Sequence, residues 1–221
     1  MTRYKIAFYC PDQHIEYSMK TLQNVGVGGG ITARTQIAHA LQKNGHEVSM
    51  YVNFQGNEKI EGVNYGHFSR IKHIDTDILV LSTSGGQLDL GAVHNMTLHA
   101  KLVVLMLSGV EFPKNTNKND FDFVYVPSNF MAATARDKWK IRPECIFTVN
   151  YGVLEENFKS SYQRGRGERK LVYLSHPSKG LEPALAVLRV LRKTDPRFTL
   201  HVYGGKKLWG ESEEDEFEEA G

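Results

Sequence analysis

The sequence predicts an α/β protein built on a doubly wound parallel sheet. Three observations carry this expectation. Short runs that are apolar along their whole length recur through the chain, the pattern of strands buried on both faces. Segments with helical spacing of apolar residues lie between them. A glycine-rich turn, with Gly26, Gly28, Gly29 and Gly30 inside five positions, opens the first of those helices.

Strands are expected at 5–10, 47–52, 77–82, 101–108, 121–128 and 146–152, and after a break at 170–176 and 198–205. The first helix runs from Ile31 to Asn44, with Ile31, Ile37, Ala38 and Leu41 as its apolar positions. Gly45 follows its last turn, where a left-handed cap belongs. Ser128 or Asn129 is placed to cap a second helix reaching about Trp139. A third spans Lys179 to Lys193, puts Leu181, Leu185, Leu188 and Leu191 on one side, and stops at "TDP".

The chain has 221 residues, 41% hydrophobic and 24% charged, an ordinary globular balance. No apolar run approaches the length of a membrane span, and "MTRYKIAFYC" leads directly into a strand rather than a secretory signal. Cys10 and Cys145 share no short spacing and read as buried, reduced thiols. No Cys/His cluster has metal-ligand spacing, so no metal site is expected. A cytoplasmic protein, soluble or peripheral to a membrane, is the expectation.

Charge is unevenly spread. Of the 25 acidic side chains seven fall in "ESEEDEFEEAG", leaving 18 against 27 basic ones over residues 1–210. A basic body suits an anionic ligand. Nucleic acid is not the expected one, since no recognition helix, zinc-finger spacing or aromatic RNA-binding motif is present.

The glycine turn has the chemistry of an anion site. The first N–H groups of a helix lack intrahelical partners, and the dipole adds positive character there. Glycine lets a phosphate approach the backbone because no Cβ intervenes. A flexible turn without ligand is the competing reading. A nicotinamide or flavin site is not expected. From Gly26 the third glycine of G-x-G-x-x-G would fall on Ile31, and about fifteen residues separate the first strand from the glycines.

Residues 159–169, within "KSSYQRGRGERK", are polar and basic without apolar period and read as a linker. The expected organisation is a first domain at 1–158, that linker, a partial second domain at 170–210 and an acidic tail at 211–221. One strand–helix–strand unit of about 35 residues cannot bury its own sheet faces.

Four stretches in order resemble glycosyltransferases of the GT-B fold, in particular the large retaining family 4. They are "GVGGGITARTQIAHALQKNGHEV", "VPSNFMAATARDKWKI", "IFTVNYGVLEENF" and "LVYLSHPSKGLEPALAVLRVLRKTDPRFTLHVYGG", and together they cover about residues 5–205. The resemblance implies two Rossmann-like domains, the second here only its first βαβ. It implies transfer of a sugar, with retained configuration, from a UDP- or GDP-sugar type of donor to a carbohydrate or glycoconjugate acceptor, without bound metal or cofactor. By the same resemblance Gly28, Gly29 and Gly30 face the donor, Lys179 pairs with its diphosphate, and Ser175, Ser178 and Gly180 complete that turn. Asp12, Gln13 and His14 lie in the loop after the first strand, where acceptors bind in that family; a plain surface loop is the competing reading.

Departures from the family pattern accompany the match. Ser108 stands about where many members carry a histidine, while His94 and His99 precede that strand. His176 stands where an arginine is common. The family's E-x7-E segment has no counterpart except the spacing of Glu211 and Glu219, which the acidic run explains by chance. The expected protein is therefore a truncated glycosyltransferase, completed by a longer reading frame or a second chain, or a non-catalytic binding module or remnant of glycosyltransferase type. No catalytic residue is assigned.

Overall fold

A computed structural model describes residues 2–83, 89–153 and 169–203. The chain divides into two compact units, Met1–Gly152 and Val153–Gly221. The proposed linker to residue 168 and the whole acidic tail, with Glu211 and Glu219, lie outside the described residues.

The first unit holds an eight-stranded sheet. Its strands are β1 (Lys5–Tyr9), β2 (Glu47–Val52), β3 (Glu58–Ile60), β4 (Val63–His67), β5 (His73–Ser82), β6 (Thr97–Met106), β7 (Phe123–Val126) and β8 (Ile146–Thr148). The spatial order is β3-β4-β2-β1-β5-β6-β7-β8. All neighbours pair in parallel except β3 with β4. Among the described residues this unit has three α-helices: α1 (Met19–Asn24), α2 (Gly29–Lys43) and α3 (Asn129–Asp137). The architecture is α/β with a mostly parallel sheet, compatible with a Rossmann-like fold.

Side-chain alternation along β1 sorts the two cores. Ile6, Phe8 and Cys10 join a cluster with Val48, Met50, Ile31 and Ala38, beneath α2. Ala7 and Tyr9 join the opposite cluster with Leu79, Leu105, Val124 and the α3 residues Met131 and Ala135. Helices therefore cover both faces, which is why the central strands are apolar along their length. Over β6–β8 the face away from α3 is only half covered. Leu102, Phe123 and Phe147 are exposed there, and the rings of Phe123 and Phe147 lie 6.4 Å apart.

The helix ends follow sequence chemistry. At the end of α2, Gly45 takes φ +93°. Its N–H donates to Gln42 O at 2.9 Å and His46 N–H donates to Leu41 O at 3.2 Å, a Schellman closure. Ser128 caps α3, its Oγ accepting from Met131 N at 3.2 Å. Three elements differ from the sequence-based expectation. The long segment after β1 contains α1. The β3–β4 hairpin turns through Glu61 (φ +44°) and Gly62 (φ +87°). The helix after the glycines starts at Gly29 rather than Ile31.

The second unit holds β9 (Lys170–Tyr173), α4 (Leu181–Thr194) and β10 (Thr199–Val202), the strands paired in parallel. Leu181, Ala184, Leu188 and Leu191 of α4 are half-buried, whereas Leu185 is exposed. Val172 (57% exposed), Leu174 (73%) and Val190 (63%) show how much apolar surface is open. Asp195 closes α4, bonded to Arg197 and Arg169, which hold its carboxyl well below the usual range. Among the described residues no helix is long and apolar enough to cross a membrane.

Candidate functional site

The strand order reverses direction at β1, which lies between β2 and β5. In open α/β sheets such a reversal leaves a crevice at the carboxyl ends of the strands, where ligands bind. Three features meet at this edge: the start of α2, the loop after β1, and a cavity.

Gly28 is the N-cap of α2, with φ +80° and ψ 156°. Only glycine takes that conformation without strain. Gly28 has no side chain to cap the helix with, and the first turn of α2 contains no acidic residue. A Cβ built on Gly29 meets nothing within 4 Å. There is thus room beside Gly29, and α2 carries no carboxylate of its own among its first N–H groups.

Beneath this turn lies a buried polar cluster. Asp12 and Arg34 are both fully buried, with Arg34 Nη2 3.7 Å from Asp12 Oδ2. The guanidinium also sits 5.6 Å from the centre of the Tyr17 ring, within cation–π range. Cys10 is buried beside them. Burial pushes the Cys10 thiol up to about 12 and the Tyr17 hydroxyl well above its ordinary range. Burial works against the Arg34 cation, but its neighbours Cys10, Tyr17 and Asp12 outweigh this and raise its pKa. Removing one member of such an ion pair strands the other, at about 3–5 kcal/mol.

The loop Cys10–Ser18 is fastened from the other side as well. Asn53, just past β2, donates from Nδ2 to Gln13 O at 3.1 Å and to Ile15 O at 3.0 Å. Its carbonyl accepts from Tyr17 N at 2.9 Å. Gln55 N donates to Glu16 Oε1 at 3.0 Å.

The cavity, about 520 Å³, opens on the α3 side of the sheet edge and is lined by Pro11, Gln13, Phe68, Asp89, His94 and Asn115 among others. The Asp89 carboxylate accepts from Gly91 N at 2.7 Å and Asn115 Nδ2 at 2.8 Å, which hold its pKa below the ordinary value. His94 Nε2 lies 2.8 Å from Asn115 O, a carbonyl, so that nitrogen carries the proton. Carboxylate, amides and an imidazole around a phenyl ring suit a hydroxylated ligand with an apolar face.

The expected site residues separate into three places. Gly28, Gly29 and Gly30 lie together at the start of α2. Asp12 turns inward to Arg34, a buried anchor rather than an open wall of the loop, whereas Gln13 lines the cavity. His14 is half-buried, and burial lowers its pKa. Ser175, Ser178, Lys179 and Gly180 belong to the second unit. There Pro177–Lys179 form a 3-10 turn and Gly180, φ +120°, caps α4. His176 Nδ1 accepts from Ser178 N at 3.2 Å and lies 2.7 Å from Ser178 Oγ. Glu182 sits in the first turn of α4, a negative charge that the start of α2 lacks. Ser108 Oγ donates to Thr83 O at 3.2 Å between the ends of β6 and β5. His99 lies within β6, its ring 5.2 Å from that of His73.

Sequence reasoning missed Arg34, Tyr17, Phe68, Asp89, His94 and Asn115. Only Arg34 left a signal, a cation on the Ile31–Ala38 stripe. Among the described residues no group of three or more His, Cys, Asp and Glu is placed to hold a metal ion. No protein-family model matches this chain and no curated protein matches its sequence, so its reading rests on the geometry of this sheet edge.

Proposed function

We propose that the chain binds a nucleotide-diphosphate sugar and is a GT-B-type retaining glycosyltransferase, its second domain represented by one βαβ unit. The observation that carries the reading is the start of α2 at the strand-order reversal, with no acidic residue in its first turn and Gly28 as N-cap in a glycine-only conformation. Those N–H groups suit the oxygens of a phosphate. They also suit the charge that grows on a departing diphosphate as the sugar C1–O bond breaks. The cavity at Gln13, Asp89 and His94 takes the acceptor in this reading, its hydroxyl brought to the sugar by position rather than by a protein nucleophile. Taken by itself, the second unit offers Lys179, the compact cation that the resemblance assigns to a phosphate.

Calorimetric titration of the full chain with UDP, GDP and their sugar conjugates tests this. Saturable binding of one nucleotide, weakened about tenfold or more by Lys179→Ala, is the expected result. Absence of binding to all of them overturns the donor assignment. It leaves the cavity as the site of a non-catalytic module.

A further inference from the structure

The loop after β1 connects two places that the proposed function treats separately. Its residues Pro11 and Gln13 wall the cavity, and its residues Asp12 and Tyr17 are held by Arg34. Arg34 belongs to α2, five residues beyond Gly29 at the start of that helix. Successive residues thus face different neighbours: Asp12 toward Arg34 of α2, Gln13 toward the cavity. Asn53 fixes the carbonyls of Gln13 and Ile15 to the end of β2. Between these two clamps the loop has little freedom to move without α2.

We propose that Arg34 is a positioning residue that couples the two ends of the site, so that a ligand ordering the first turn of α2 also orders the cavity wall at Gln13. This rests on the anion-site reading of α2 and adds a reciprocal consequence: a ligand at either end steadies the other. The physical basis is a fully desolvated ion pair. Its geometry is costly to distort, so a displacement of α2 is passed to Asp12 rather than absorbed. An exposed pair would give way instead.

The test is hydrogen exchange by mass spectrometry on the full chain, with and without sodium pyrophosphate. Three forms are compared: wild type, Arg34→Lys, and the double variant Asp12→Asn with Arg34→Gln. The double variant removes both charges and so leaves no stranded ion. Arg34→Lys keeps the charge but loses the planar fork. In wild type, pyrophosphate is expected to slow exchange at 29–32 and also at 12–17. In the double variant, exchange at 12–17 rises about tenfold without ligand, within the usual range of coupling energies. Pyrophosphate then protects 29–32 alone, and Arg34→Lys falls between. Exchange in β1, β2 and β5 stays unchanged, which a general loss of structure would not allow. Unaltered protection of 12–17 in the double variant overturns the proposal, as does pyrophosphate protection that still reaches 12–17. If pyrophosphate protects nothing in wild type, the anion-site reading fails, while the ligand-free comparison still decides whether Arg34 holds the loop.

Discussion

His39 shows how a single buried side chain ties acid stability to the α2 face. It is almost fully buried, with Nε2 2.9 Å from Tyr65 Oη and Nδ1 3.7 Å from Glu61 Oε2. Burial lowers its pKa from 6.5, more than Glu61 raises it. The unfolded chain therefore binds the proton more readily than the folded one. This contribution to stability is full above the ordinary value of 6.5 and is lost as pH falls below it toward the folded value. His39→Gln should flatten the fall of Tm between pH 6.5 and about pH 5, measured by thermal melts across that range. An undiminished slope would assign the acid sensitivity elsewhere, for example to His14, whose pKa burial also lowers. At this scale the sequence was least legible. Asp12, Gln13 and His14 are neighbours in the chain, yet the loop turns Asp12 toward Arg34 of α2 and leaves Gln13 on the cavity. Asp89, His94 and Asn115 meet through loop paths that no local spacing encodes.

At the scale of elements, sequence and structure agree where hydrophobic pattern and cap chemistry act together. The central strands, the Gly45 closure and the Ser128 cap all follow from residues adjacent in sequence. The β3–β4 hairpin did not, because Glu58, Lys59 and Asn64 break its apolar pattern at the sheet edge. The glycine turn is the element with separable consequences. Gly28→Ala meets positive φ and should cost about 2 kcal/mol, roughly 6 °C in Tm. Gly29→Ala meets open space and should leave Tm unchanged or slightly higher. If a phosphate seats against the backbone there, the added methyl of Gly29→Ala should weaken UDP binding in calorimetry. Equal affinity in that variant would mean that no anion approaches Gly29.

Across the whole molecule the two units are unequal. Met1–Gly152 encloses two apolar clusters on opposite faces of its sheet. A fragment of residues 1–152 should therefore unfold cooperatively in urea. The full chain adds the open surface of Val172, Leu174 and Val190, and should associate as concentration rises. Light scattering of fragment and full chain across the same concentrations checks this; a monomeric full chain at the highest one would contradict it.

The ends of the large sheet close one route of association to the first unit. Both outer strands, β3 and β8, are three residues long, and β3 carries Glu58 and Lys59. A growing fibril needs a long row of unpaired N–H and C=O groups as template, and neither border of this sheet offers one. Clusters of the 1–152 fragment should therefore be amorphous and reversible on dilution, held by side chains rather than by backbone ladders.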